Sequence, residues 1–93
     1  MFVRILGQFR ESVRTGSFVM TLHAEEEMAD DLFTIFDVEQ AILEGEIVER
    51  QRDSARSEWK YLLKGRASDA RLLHVVAKMA PSGKMVIITV FGE

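Results

Sequence analysis

The chain of 93 residues contains no cysteine, which excludes both a disulfide framework and a thiolate zinc centre. It has two histidines, His23 and His74, a thin supply for any imidazole-based metal site, and no recognisable motif supplies the remaining ligands beside His23 and Glu26 or Glu27. Neither a metal nor a cofactor is expected. No apolar run approaches the length of a membrane span, and Met1 to Gly16 lacks the continuous apolar stretch of a signal peptide. That segment is therefore read as structural, no membrane contact is expected, and a cytoplasmic location, compatible with the absence of cysteine, is the expectation. The phosphate loop, the dinucleotide fingerprint and the serine elbow are all missing, which sets aside the enzyme classes built on them. Basic residues are absent from positions 25 to 49, a stretch that carries ten acids.

What is present begins with the other half of that charge division. Residues 50 to 84 carry nine Lys and Arg against three acids, so a net charge of only -3 hides two opposed local fields. The length suits one domain, residues 1–93, with one modest core and one site or interface. A pI near 5.4 argues against a globally basic nucleic-acid binder and leaves a local patch as the remaining route.

Phe2, Ile5, Leu6, Phe9 and Val13 recur at helical spacing, and Gly16 provides a stop, so residues 1–16 read as an amphipathic helix packed on the domain's own sheet. Alternation predicts a short strand from Ser17 to Leu22, after which His23 begins a second helix that Asp30 and Asp31 terminate. Thr34 and Asp37 form a capping-box pair for a third helix, with Val38, Ala41 and Ile42 as its buried stripe and Gly45 at its end. From Glu46 the period becomes two, and strands are expected over Glu46–Gln51, Ser57–Lys64, Arg71–Met79 and Met85–Phe91. Pro81, Ser82 and Gly83 supply the turn between the last two. The last strand is apolar on both faces, which places it inside the sheet. The predicted class is α+β, with two to three helices on one face of a curved antiparallel sheet of four to five strands.

Trp59, Tyr61 and Leu63 point to one side of their strand and Glu58, Lys60, Leu62 and Lys64 to the other. Arg50 and Arg52 from the preceding strand, with Arg56, Arg66 and Arg71 from the connections, are expected to enlarge the charged side into a surface able to grip several phosphates. The same cations also suit a solvated face protected against edge aggregation. Metal-independent RNA cleavage needs a base for the ribose 2'-hydroxyl, an acid for the leaving oxygen and cations on the phosphate. His23, His74, Lys60 and Tyr61 are the candidate catalytic groups, and Arg50, Arg52, Lys64 and Arg66 the candidate phosphate ligands. His23, at a strand-to-helix junction, also suits a capping role, and His74 on a strand face also suits a hydrogen-bonded structural one.

Thr21-Leu-His23-Ala24 with Glu27-Met28, Asp37-Val38 with Ala41-Ile42, Gly45-Glu46-Ile47-Val48-Glu49, Trp59-Lys-Tyr61, His74-Val-Val and Ile88-Thr89-Val90-Phe91 together resemble the bacterial domain-of-unknown-function 4258 family. The resemblance covers nearly everything after Ser17. That family is similar to the RelE-like and motility quorum-sensing-regulator toxins, small ribonucleases of the barnase, EndoU, colicin and RelE fold group. The resemblance implies helices on one face of the sheet, an opposite face available to RNA or to a zinc-finger-type antitoxin, and membership of a type II toxin-antitoxin pair. Two readings follow: a toxin-like endoribonuclease, and a non-catalytic interaction module that binds a basic partner through its acidic helices, with a homodimer as a further option.

Overall fold

Helical periodicity gives way to alternation after Gly45, and the computed structural model follows that change, describing residues 1–53, 55 and 58–93. The described residues form three helices, α1 (Val3–Thr15), α2 (Leu22–Asp30) and α3 (Ile35–Glu44), and one sheet of five strands. The strands are β1 (Phe18–Met20), β2 (Glu46–Asp53), β3 (Glu58–Arg66), β4 (Leu72–Met79) and β5 (Met85–Gly92), in the order β1-β5-β4-β3-β2. The class is α+β, as the sequence predicts. Arg56 and Ser57, an expected cation and the expected first residue of a strand, lie outside the described residues.

β2 to β5 form the anticipated antiparallel meander. β1 is the exception to the expected antiparallel sheet, because it runs parallel to β5 with Phe18 opposite Met85 and Met20 opposite Ile87. It is also shorter than alternation suggests. Thr21 leaves the strand to cap α2, its hydroxyl accepting from the Ala24 amide at 3.1 Å, and Leu22 is already helical.

Each helix has a definite boundary. α1 closes on Gly16 at φ 71, a left-handed cap that glycine adopts without a Cβ clash. α3 opens with the full capping box: the Asp37 amide donates to the Thr34 hydroxyl at 3.3 Å, and the Thr34 amide donates to the Asp37 carboxylate at 2.9 Å. Gly45 ends α3 for a different reason from the one anticipated, since its φ of -86 needs no glycine. A Cβ there would collide with the carbonyls of Ala41 and Lys64, and one on Gly65 would meet the Ala41 backbone. The pair lets α3 lie directly on β3.

The core lies between the helices and one face of the sheet. Phe9 of α1 and Val38 and Ile42 of α3 meet Leu63, Leu73, Val75, Met85, Ile87 and Val90, all essentially inaccessible. Tyr61 joins this layer through edge contacts with Phe2 and Phe9 at 5.9 and 5.8 Å. Arg10 ties α1 to the end of α3, donating to the Gly45 carbonyl at 2.8 Å.

The buried Asp37 carboxylate accepts three hydrogen bonds. Besides the Thr34 amide of the capping box, its donors are the Ser68 hydroxyl at 2.6 Å and the Ser68 amide at 3.0 Å, which fastens α3 to the β3–β4 connection. Donation by the Ser68 hydroxyl, then by backbone amides, lowers its pKa from 3.8 to about 2 against an opposing cost of burial. The folded pKa lies below the unfolded one, so the stabilisation is fully present above the unfolded value and is lost as pH falls from 3.8 towards about 2. Asp37→Asn is therefore expected to lower unfolding free energy by about 2 kcal/mol at neutral pH, with the gap closing in acid. Urea denaturation of both proteins across this range checks it, and a gap that stays constant in acid would contradict the assignment.

Candidate nucleic-acid interface

Strand pairing sorts the side chains into two faces. Leu63, Leu73, Val75 and Ala77 point towards the helices, so their alternating neighbours on β3 and β4 lie on the uncovered face. That face carries Glu46, Glu49, Gln51 and Asp53 from β2, Glu58, Lys60, Leu62, Lys64 and Arg66 from β3, Leu72, His74, Val76 and Lys78 from β4, and Thr89 and Phe91 from β5, with Lys78 donating to Glu58 at 2.6 Å, so its cations are interspersed with acids.

Lys64, His74 and Phe91 stand opposite one another in a row across three strands. The imidazole of His74 stacks on the Phe91 ring at 4.8 Å with 7° between planes, which leaves the histidine 8% exposed although no helix covers it. Its Nδ1 faces inward, buried without a hydrogen-bond partner. Nε2 is thus the nitrogen that faces a neighbour: the Glu93 carboxylate is 3.8 Å from it and 3.9 Å from Lys64 Nζ. A carboxylate, an imidazole and an ammonium converge on one patch, a set able to take a proton, return one and hold an anion.

The patch opens onto a concavity. A cleft of about 610 Å³ is lined by Asp31, Phe33, Arg66, Arg71, Leu72, Gly92 and Glu93. A second, of about 430 Å³, adjoins it through Arg66 and Leu72 and reaches Lys64, Gly65 and the end of α3. Arg66 commits one donor to the Ala70 carbonyl at 2.8 Å and otherwise faces solvent. Arg71 is engaged within the fold, since it pairs with Asp69, donates to the carbonyls of Asp31 and Leu32, and lies 4.2 Å over the Phe33 ring.

The expected catalytic and phosphate-binding residues are divided by this geometry. Lys60, Lys64, Arg66 and His74 share the uncovered face, whereas Tyr61 points into the helical layer. Arg50 stands opposite Tyr61 and Arg52 opposite Trp59, so both arginines also lie on the helix side, away from the lysines. A bulge at Val48 is responsible, because the register passes from Ile47 opposite Leu63 to Glu49 opposite Leu62 and reverses the facing of everything after it. Strict alternation from Glu46 does not reveal such an insertion. Phe91 and Glu93 are the residues that sequence reasoning missed, although their spacing from Thr89 puts all three on one side of an extended chain.

His23 belongs to a different arrangement. It sits in the first turn of α2, exposed, with Nε2 3.2 Å from Glu27 Oε1. That same oxygen accepts the Val90 amide of β5 at 3.0 Å, and Asp31, one helical turn on, accepts the Gly92 amide at 3.2 Å. β1 stops at Met20, so these two carboxylates take the edge amides that a longer β1 would have bonded. Thr21 completes the seam by donating its hydroxyl to the Ile88 carbonyl at 2.8 Å. Among the described residues, no hydrogen bond or ion pair joins His23 to His74, and no three His, Asp or Glu side chains converge as metal ligands. Among the described residues, no helix is long and apolar enough to cross a membrane.

A family model described as Domain of unknown function (DUF4258) matches residues 20–92, which leaves α1 and the start of β1 outside the match. No curated protein and no solved structure matches the chain.

The seam between α2 and β5 can be tested directly. Glu27→Ala leaves the Val90 amide without an acceptor, and a loss of about 1–3 kcal/mol is expected, with faster amide exchange at Val90 and Gly92. Glu27→Gln, which keeps an acceptor, is expected to retain most of the stability. Equal losses in both variants would show that charge, and not the hydrogen bond, holds the seam.

Proposed function

We propose, for a chain that belongs to the DUF4258 family, that the uncovered sheet face binds single-stranded RNA and cleaves it in the manner of a toxin-like endoribonuclease. The observation that carries this reading is the placing of Glu93 between His74 Nε2 and Lys64 Nζ, on a face that also presents Lys60 and Arg66. Glu93 receives the proton of a ribose 2'-hydroxyl, the 2'-oxygen attacks phosphorus, and the bond to the 5'-oxygen breaks as the imidazolium form of His74 delivers its Nε2 proton to it and is left as the neutral ring. The products are a 2',3'-cyclic phosphate and a 5'-hydroxyl. Lys64 and Arg66 oppose the charge that builds on the phosphate oxygens. Phe91, partly exposed with one ring face taken by His74, offers the rest of its ring as an apolar contact to a base, and such a contact does not select among bases.

The adjoining clefts support the reading because they give a flexible strand a concave seat next to the proton-exchanging pair. Two acids of the α2 segment are committed to β5 and Asp37 to Ser68, so the acidic block is partly internal structure, while its Glu46 and Glu49 stand on the sheet face opposite Lys64 and Leu62 and confine the anion-binding part of that face to the Lys64–Arg66 end.

A second reading rests on the acids that remain. Glu25, Glu26 and Asp30 are carried by α2 outside the seam with β5, and all three are exposed, so this surface suits a basic protein partner, including a neutralising antitoxin, on a side of the molecule different from the RNA face.

The first reading predicts cleavage of single-stranded RNA by the purified chain in the presence of EDTA, with cyclic-phosphate ends detected by mass spectrometry. His74→Ala and Glu93→Gln are each expected to slow it about 100-fold or more with unchanged circular dichroism, and Lys64→Ala to act mainly on the chemical step. Intact RNA after incubation with folded protein would overturn it. For the second reading, replacing Glu25, Glu26 and Asp30 by Lys, with Glu27 and Asp31 untouched, is expected to weaken capture of an oligo-arginine peptide about tenfold. Unchanged capture excludes that surface.

A further inference from the structure

The bulge that turns Arg50 and Arg52 away from the lysines places them on Trp59. The Arg50 guanidinium lies 4.0 Å and the Arg52 guanidinium 4.8 Å from the indole centroid. Both arginines are exposed, and Trp59 is 39% exposed. Among the described residues neither guanidinium donates to any carboxylate or carbonyl, in contrast to Arg10, Arg66 and Arg71, which all do. A guanidinium held against an aromatic ring by cation–π attraction keeps N–H groups free to donate, so this corner presents two cations positioned by one indole. The indole also walls a cleft of about 380 Å³ whose other lining includes Ile5, Tyr61, Met79 and Pro81, with Glu58 at its margin neutralised by Lys78 at 2.6 Å. The corner therefore offers paired anion donors beside a mostly apolar slot bounded by a ring.

We infer that Trp59, Arg50 and Arg52 form a second nucleotide subsite, in which a base enters the slot against Trp59 and its phosphate rests on the two arginines. The inference rests on the reading that the chain binds RNA, and it adds a contact remote from the proton-exchanging pair. Trp59 and Lys64 are on opposite faces of β3 and about 17 Å apart along it. A strand seated at His74 must therefore cross the β2 edge or the β2–β3 hairpin to reach the corner, and a dinucleotide cannot do so. RNA is favoured over an acidic peptide because the slot accepts a flat apolar ring next to the charge, a combination that every nucleotide supplies and that a carboxylate side chain lacks.

Trp59 is the chain's one tryptophan, so its fluorescence reports this corner alone. The probe is a single-stranded oligonucleotide of about twelve nucleotides with 2'-deoxy sugars, which cannot be cleaved and which, even stacked, spans about 40 Å. That exceeds the longest dimension of the protein, 34 Å. It is expected to quench Trp59, and Arg50→Ala/Arg52→Ala is expected to weaken binding about tenfold and reduce the salt slope by about 1.4. An unquenched Trp59, an unchanged affinity in the double variant, or quenching by an oligo-glutamate peptide but not by the oligonucleotide would overturn the inference. Cleavage is read separately by product formation. Quenching without cleavage sinks the ribonuclease reading alone, and cleavage without quenching sinks the second subsite alone.

Discussion

The architecture depends on how β5 is finished where β1 runs out. β1 pairs with β5 only over Phe18 to Met20, and an unbonded strand edge next to a core is costly in free energy. Glu27 and Asp31, one turn apart on one face of the α2 segment, match the two-residue spacing of the outward amides of Val90 and Gly92, so a helix stands in for the missing strand. This fixes α2 against β5 and carries the chain through Leu32 and Phe33 to the end of the sheet. Phe33 and Asp31 then become walls of the larger cleft. The extended run to Gly92 keeps Phe91 and Glu93 in line with His74 and Lys64. The candidate site exists because the edge amides found acceptors.

The same seam explains why acids crowd a helix whose C-terminal dipole disfavours them. Asp31 lies against the negative end of α2, an unfavourable place for a carboxylate unless a donor compensates. The Gly92 amide supplies one. Arg71 supplies a further correction, because its guanidinium takes the two carbonyls that α2 leaves exposed at Asp31 and Leu32. Local rules broken at Asp31 are therefore satisfied by contacts from residues 40 and 61 positions away.

Features set by short-range physics were legible in the sequence. The Thr34–Asp37 box, the Gly16 stop, the Pro81–Gly83 turn and the alternation of β3 and β4 depend on neighbours within a few positions, and each has its expected place. Features that depend on distant partners were not. Gly45 is required by the approach of β3, not by its own dihedral angles, and the parallel pairing of β1 needs β5 from the far end of the chain. The bulge at Val48 inserts one residue without altering composition or hydropathy, yet it moves Arg50 and Arg52 across the sheet. His74 was visible as a candidate, while its orientation against Phe91 and Glu93 required the register of two strand pairs.

Charge segregation along the chain thus becomes segregation in space, though not a simple acid side and basic side. Glu27, Asp31 and Asp37 face inward to backbone and hydroxyl donors, which leaves Glu25, Glu26 and Asp30 as the outward acids of α2. Like-charge repulsion keeps a phosphate chain off that helix. On the sheet side, Lys60, Lys64 and Arg66 form a line along one strand, and the arginines over Trp59 lie on the opposite face of the neighbouring edge strand. Under the proposed RNA reading, the acidic helix closes one approach, and Lys60, Lys64 and Arg66, with Glu46, Glu49 and Glu58 among them, mark the other. A near-neutral domain would on that reading rely on a few locally placed cations in place of the global positive charge that most nucleic-acid binders carry.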